Sequence, residues 1–291
     1  MNTAHTNPQG AQGPASLGEE GRVIGGRYRL VRPLGAGGFS AVYLGVDEAL
    51  GREVAVKVLR RELSRSPAFC ERFTSEARVC SRLRHPHTLK LFDFGQTDDG
   101  ALFLVLELLN GELLSERLRR LGRIDERALA LLFSPICLAL DEAHALGVVH
   151  RDLKPDNLFF HRAGQTELLV LIDFGIAKVG GEVLDERTPT PAGQIFGTPC
   201  YMAPEQIMDT SGVSPQSDLY SLGVILYQCL TGALPFTGDS LYEVFERHLR
   251  APVPDPRARA PEVSAEMARL VTSLLDKNPA ARPASALAVR E

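Results

Sequence analysis

Nothing in the 291 residues reads as a disulfide framework, a zinc site or a membrane anchor. The five cysteines, Cys70, Cys80, Cys137, Cys200 and Cys229, are scattered and form no Cys-x-x-Cys pair. Such an odd, dispersed set argues for reduced thiols and a cytoplasmic setting. No apolar run approaches the roughly 20 residues that span a bilayer. The most hydrophobic helical candidate, Leu219 to Leu230, is short and carries Ser221 and Gln228. The N-terminus lacks a charged-then-apolar signal pattern, so a soluble chain without a membrane span is expected. An excess of one charge is missing too. The 32 Lys and Arg against 36 Asp and Glu leave −4, with no basic stripe to draw nucleic acid. Large apolar groups are scarce in residues 1–25, which therefore read as a disordered tail that cannot offset its ordering entropy.

What remains is an ordinary globular composition, 44% apolar, ample for a core. From Tyr28 the pattern alternates and reads as strands. Two of them flank Gly35-Ala36-Gly37-Gly38-Phe39-Ser40. Glycines there let backbone N–H groups approach phosphate oxygens with no Cβ in the way, and Gly38 can take a positive φ. The nucleotide-loop pattern Gly-x-Gly-x-x-Gly-x-Val is met at Gly35, Gly37 and Val42, but Ser40 stands at the third glycine. Alone this loop is weak evidence, because glycine-rich hairpins are common. A third strand, Glu53 to Leu59, holds Lys57 among apolar neighbours. An edge-strand lysine that deters aggregation would look the same.

Residues 67–83 then read as a helix, with Phe69, Phe73, Ala77 and Cys80 on one face and Glu76 beside it. A second hairpin follows, Leu89–Phe94 and Ala101–Leu106, closed by Thr97-Asp98-Asp99-Gly100. Beyond Gly111 the period shifts to about 3.6, and Ala128 to Leu146 is apolar enough for a buried helix despite Pro135.

The chemistry concentrates in His150-Arg151-Asp152-Leu153-Lys154-Pro155-Asp156-Asn157, followed sixteen residues on by Asp173-Phe174-Gly175. A chosen octapeptide arises by chance in a chain of this length with a probability on the order of 10⁻⁸. His-Arg-Asp alone is as well explained by a loop salt bridge, and Asp-Phe-Gly by a turn. In this order and spacing they resemble the catalytic and metal-binding loops of the eukaryotic-like Ser/Thr protein kinases, in the bacterial branch. The resemblance covers about residues 27–291.

It implies an α+β, bilobal protein-kinase fold within 26–291. A small antiparallel-β N-lobe with one helix (about 26–107) leads through a hinge (about 107–112) to a larger, mainly α C-lobe (about 113–291). A ligand cleft is expected at the hinge. It further implies ATP with magnesium, or manganese in its place, as cofactors. The family's ATP pocket maps to Leu34, Gly35, Gly37, Val42, Ala55, Lys57, Leu106, Phe159 and the main chain of Glu107 and Leu109, with Glu112 near the ribose. Lys57 takes the phosphate role and Glu76 pairs with it; Glu71 competes but falls elsewhere on the turn.

Asp152 is the implied base, Lys154 the neutraliser of γ-phosphoryl charge, and Asn157 and Asp173 the metal ligands. Lysine at 154 is the Ser/Thr form of the loop. Gly197 to Glu205 resembles the substrate-docking loop, with Thr198 contacting Asp152 and Lys154. Thr188 and Thr190, each followed by proline, are candidate phosphorylation sites, and Arg151 is placed to receive the phosphate. Asp218 is expected to hold the catalytic loop's backbone, and Arg282 to pair with Glu205. Gln228 stands where many relatives carry an acid that binds basic substrates. The implied partners are Ser/Thr protein substrates, together with a homodimer for autophosphorylation. A catalytically silent scaffold of the same fold and a small-molecule phosphotransferase are the competing readings.

Overall fold

The alternating residues from Tyr28 onward form most of one antiparallel sheet. A computed structural model describes residues 19–37, 40–174, 188–189, 195–196, 198–208 and 212–291. The sheet's strands are β1 (Val23–Ile24), β2 (Tyr28–Ala36), β3 (Ser40–Asp47), β4 (Arg52–Leu59), β5 (Leu91–Gln96) and β6 (Leu102–Leu106). They lie in the order β1-β2-β3-β4-β6-β5. Because side chains alternate faces along a strand, register decides what is buried. Ala41, Val58 and Phe103 stand opposite one another, as do Tyr43, Val56 and Val105. With Ile24, Tyr28, Leu30 and Val54 they form the core of this unit. Each fully buried side chain of this size contributes about 1.5–3 kcal/mol.

Residues 19–25 correct the expectation of a disordered tail through residue 25. Ile24 is fully buried and β1 pairs with β2. Upstream, Arg22 bridges Glu19 and Asp99 at 2.6 and 2.7 Å. One buried isoleucine was enough to extend the sheet, a signal too short to read as a strand.

The chain divides into two units. One holds the described residues up to Arg65 together with Asp93–Leu108, and the other holds Ser66–Phe92 and Leu109–Glu291. The helix α1 (Pro67–Cys80) therefore groups with the second unit, whereas the sequence placed it in a first lobe running to about 107. Ser66 caps it by accepting from the Phe69 N–H, and Phe69, Phe73, Ala77 and Cys80 are its buried face.

The second unit is mainly helical: α2 (Leu114–Leu121), α3 (Glu126–Ala145), α4 (Pro204–Met208), α5 (Pro215–Thr231), α6 (Leu241–Arg250), α7 (Ala265–Leu274) and α8 (Ala286–Arg290). Of the 17 residues of α5, 13 are buried, which fits its nearly uninterrupted apolar sequence. α7 packs so closely that a Cβ on Gly223 would lie 2.7 Å from Leu274 Cβ. α3 is the one helix among the described residues that is long and apolar enough to cross a membrane by composition, a possibility the sequence reading missed. Seven of its residues, Phe133 and Leu140 among them, are buried within the unit.

A small sheet of β7 (Gly111–Leu113), β8 (Leu158–Ala163) and β9 (Thr166–Leu171) completes the unit and supports the loops that matter. Gly111 is required there. Its φ is 150°, and a Cβ would sit 1.8 Å from the Phe160 carbonyl oxygen. A two-residue ladder, Thr188–Pro189 against Ile195–Phe196, lies between β9 and α4 in sequence.

Candidate functional site

Two loops of the second unit carry the acids picked out by the sequence, and hydrogen bonds tie them together. The first runs from His150 through a short 3₁₀ turn, Pro155–Asn157, into β8; the second follows β9. The Ile172 N–H donates to the Asn157 carbonyl at 2.9 Å, and His150 Nε2 donates to the Ile172 carbonyl at 2.9 Å. The His150 ring also lies 4.9 Å from that of Phe174. Sequence reasoning gave His150 no task of its own; its place in the octapeptide was the available signal.

Arg151 and Asp173, with φ of 65° and 75°, are the two non-glycine residues with positive φ among those described. Left-handed backbone at such residues costs on the order of 1–3 kcal/mol each and persists where neighbours fix it. Here Asp218 on α5 accepts from the backbone N–H groups of His150 (2.8 Å) and Arg151 (3.0 Å). Gln206 Nε2 donates to the Arg151 carbonyl at 3.0 Å, a contact with no sequence signal.

Asp152 is buried beside two other predicted residues. Asn157 Nδ2 donates to its carbonyl at 2.7 Å and to its Oδ2 at 3.1 Å. Lys154 Nζ lies 3.5 Å from the same Oδ2. With its nitrogen committed, the Asn157 amide presents Oδ1 as its other end. That oxygen and the Asp173 carboxylate are the donor types a hard divalent cation takes, usually one or two from protein with the rest from water and phosphate. No group of three or more His, Cys, Asp or Glu placed to hold a metal gathers anywhere among the described residues.

Glu76 on α1 lies 3.8 Å from Arg151, both within the second unit. Burial pushes its carboxyl up to about 7, and Arg151 and Arg72 offset only part of that. Its contact with Arg151 was not anticipated.

Farther on, Thr198–Tyr201 forms a 3₁₀ turn leading to α4. The side chain of Thr198 lies outside the described residues, as do Gly38, Gly175, Thr190 and Gly197; Thr188 is described by its backbone pairing with Phe196. Tyr201 donates to Gln228 Oε1 at 2.7 Å, and Ser221 donates to the Tyr201 carbonyl at 2.8 Å. Arg282 makes a two-point pair with Glu205 at 2.7 and 2.9 Å, and Ser217 donates to the same carboxylate at 2.7 Å. Burial alone would raise the Glu205 carboxyl, but these donors hold it below the usual glutamate value.

In the first unit, Gly37 N–H donates to the Ser40 carbonyl at 2.8 Å and closes the glycine turn. Leu34 and Gly35 lie on β2. Lys57 stands opposite Val42 and Leu104, while Ala55 stands opposite Leu44 and Leu106. The sheet thus carries Val42, Ala55, Lys57 and Leu106 together on the face away from its core. Glu107 follows in the same unit; Leu109 begins the second. Phe159 pairs with Leu113 and Val170 in the small sheet. Glu112 Oε1 accepts from both Arg117 and Arg120 at 2.7 Å, partners the sequence did not foretell.

Comparison with known proteins adds independent findings. The protein kinase domain family matches residues 28–291. The chain is 41% identical over 273 residues to the serine/threonine-protein kinase pkn3 of Myxococcus xanthus, covering 93% of this chain and 50% of the relative. It is 40% identical over 266 residues to the serine/threonine-protein kinase PknA of Mycobacterium tuberculosis, covering 90% and 59%. The chain thus spans about half the length of these relatives. The crystal structure of the Mycobacterium tuberculosis PknI kinase domain superposes with a TM-score of 0.72 at 25% identity, covering 94% of this chain and 97% of that one.

Proposed function

We propose that this chain, which belongs to the protein kinase domain family in its bacterial Ser/Thr form, transfers the γ-phosphoryl group of ATP to Ser and Thr hydroxyls of protein substrates. The substrate oxygen forms a bond to the γ-phosphorus as the bond to the bridging β-phosphate oxygen breaks. The hydroxyl proton passes to Asp152, and ADP leaves. Lys154 neutralises charge on the migrating group, and Lys57, paired with Glu76, steadies the α- and β-phosphates. A magnesium ion, with manganese as a substitute, would supply neutralisation of the charge that develops on the phosphates. Asn157 and Asp173 would hold it. Leu34, Gly35, Gly37, Val42, Ala55, Leu106 and Phe159 enclose the nucleotide. The main chain of Glu107 and Leu109 takes its base, and Glu112 lies toward its ribose. Thr198 selects the hydroxyl.

The barrier arithmetic assigns the weight. Family turnover of about 1–100 s⁻¹ corresponds to a barrier of roughly 15–17 kcal/mol. General-base help is worth about 10²–10⁴-fold, or roughly 3–5 kcal/mol, so electrostatics must carry most of the rest. The observation that carries the proposal is the bonded pair of loops. Asp152 is fixed by Asn157, and the peptide before Asp173 is bonded to both Asn157 and His150.

Autophosphorylation in a homodimer, with Thr188 and Thr190 as acceptors and Arg151 as the receiving cation, belongs to the same reading. Incubation with γ-labelled ATP, magnesium and a generic protein substrate tests it. Label on Ser or Thr of the substrate is the expected result. ATP binding without transfer would favour a silent scaffold, and label on small hydroxyl compounds alone a small-molecule phosphotransferase.

A further inference from the structure

We infer that His161 is a positioning residue for nucleotide binding, fastening the main chain of Leu109 and Asn110 to β8 where the base is received. This rests on the base site proposed above. His161 lies on β8, and its Nδ1 accepts the Asn110 N–H at 3.0 Å. A backbone N–H can only donate, so Nδ1 carries a lone pair and the neutral ring keeps its hydrogen on Nε2. The peptide bond is planar, so anchoring the Asn110 N–H also fixes the direction of the Leu109 carbonyl. The Asn110 carbonyl is held in turn by the Arg162 N–H at 2.8 Å. Both peptides of Asn110 are thereby tied to β8, just before the close approach of Gly111 to the Phe160 carbonyl. A solvated surface histidine would leave both ring nitrogens to water. This one commits a nitrogen to main chain beside the base site.

The protonation state of the ring decides this contact. With a hydrogen on both nitrogens, Nδ1 would meet the Asn110 N–H as donor against donor. The residues directly opposite His161 carry no charge, Gly111 on β7 and Leu168 on β9. Side chains alternate faces along a strand, so Glu112, Arg162 and Glu167 of these three strands stand on the other face. There Arg117 of α2 donates to both Glu112 and Glu167, and Arg120 donates to Glu112. None of these carboxylates is placed to favour the charged ring over the bond to Asn110.

Adenosine is the probe for the test, because it carries the base without a phosphate that titrates. Its Kd is measured by calorimetry from about pH 5 to pH 8.5, the range in which histidines change charge. Wild type, His161→Asn and His161→Ala are compared as full chains. The asparagine Oδ1 stands in the place of Nδ1 and accepts at every pH. At pH 8.5 His161→Asn should match wild type. His161→Ala should bind about 2–10-fold more weakly there, the scale of one neutral hydrogen bond. Toward pH 5 wild type should weaken against His161→Asn by about the same factor. The other titrating groups, Glu76 among them, are common to all three chains, so the ratio of wild type to His161→Asn reports the ring. A ratio that stays constant with pH overturns the inference, and so does wild-type affinity in His161→Ala at pH 8.5. Should the alanine variant not fold, the ratio decides alone. Phosphoryl transfer from ATP with magnesium is assayed separately. Absent transfer with the expected adenosine pattern would sink the proposed activity and support the positioning. Transfer without that pattern would do the reverse, and a wild type that binds no adenosine at any pH overturns the inference together with the base site.

Discussion

Asn157 Nδ2 lies 2.7 Å from the backbone carbonyl of Asp152 and 3.1 Å from its side-chain Oδ2. One amide thus fixes both the main chain and the carboxylate of the proposed base, leaving its oxygen for a metal. Replacing Asn157 with Asp keeps that oxygen but sets a second carboxylate against the first. We expect kcat to fall by at least about 10-fold, approaching the roughly 10²–10⁴-fold that a general base supplies as the base is displaced further. Steady-state kinetics at saturating MgATP would measure it, and an unchanged kcat would remove Asn157 from the base's support.

Glu76 gives a pH signature. Its carboxyl is pushed up to about 7, first by burial. An acid whose folded pKa exceeds its unfolded value adds stability that is complete below the unfolded value and lost as pH rises through the folded one. Glu76→Gln should therefore melt above wild type at pH 8, with the gap closing by pH 5. The same variant should lose transfer activity, since the proposed pairing with Lys57 needs the charge. Thermal melts from pH 5 to 8 would show whether the gap narrows as stated; a gap independent of pH would place the effect elsewhere.

Arg282 and Glu205 carry the opposite sign. Burial raises the Glu205 carboxyl, but Arg282 and Ser217 more than offset it, so its folded pKa falls below the ordinary 4.5. Stability from the pair is present above that value and lost as pH falls through the folded one. The Arg282 side chain is fully buried and that of Glu205 is 10% exposed. Arg282→Ala should therefore cost about 3–5 kcal/mol, the penalty of an uncompensated buried charge. Urea denaturation at pH 7 would read it, and a change below 1 kcal/mol would contradict the burial argument.

Gly223 tests the packing of α5 on α7. A methyl there would lie 2.7 Å from Leu274 Cβ and 3.2 Å from Leu275 side-chain atoms. Overpacking of this kind costs about 1–3 kcal/mol. It should outweigh the roughly 1 kcal/mol that alanine gains over glycine in a helix. Gly223→Ala is expected to lower the urea midpoint; a raised midpoint would mean the helices separate easily.

The sequence made the local elements and the chemical residues legible, because both are written at short range. The spacing of Phe69, Phe73, Ala77 and Cys80 marked the buried face of α1, and the alternation around Lys57 marked its strand. The octapeptide and Asp173 pointed to the loops. What could not be read depends on contacts between distant segments. The spacing of α1 identified its apolar face but not its grouping with the second unit or the approach of Glu76 to Arg151. The engagement of Glu112 by two arginines, and of Gln228 by Tyr201, likewise joins residues that no local pattern links.

The central claim is that Asp152 and Asp173 sit on two bonded loops yet do different work, one on the proton and one on the metal-bound nucleotide. Parallel measurement of MgATP affinity and single-turnover transfer in Asp152→Asn and Asp173→Ala tests it directly. The account predicts that Asp152→Asn binds MgATP about as well as wild type but transfers about 10²–10⁴-fold more slowly, while Asp173→Ala loses the magnesium dependence of binding along with transfer. Near-normal transfer in Asp152→Asn, or unaltered magnesium dependence in Asp173→Ala, would contradict it.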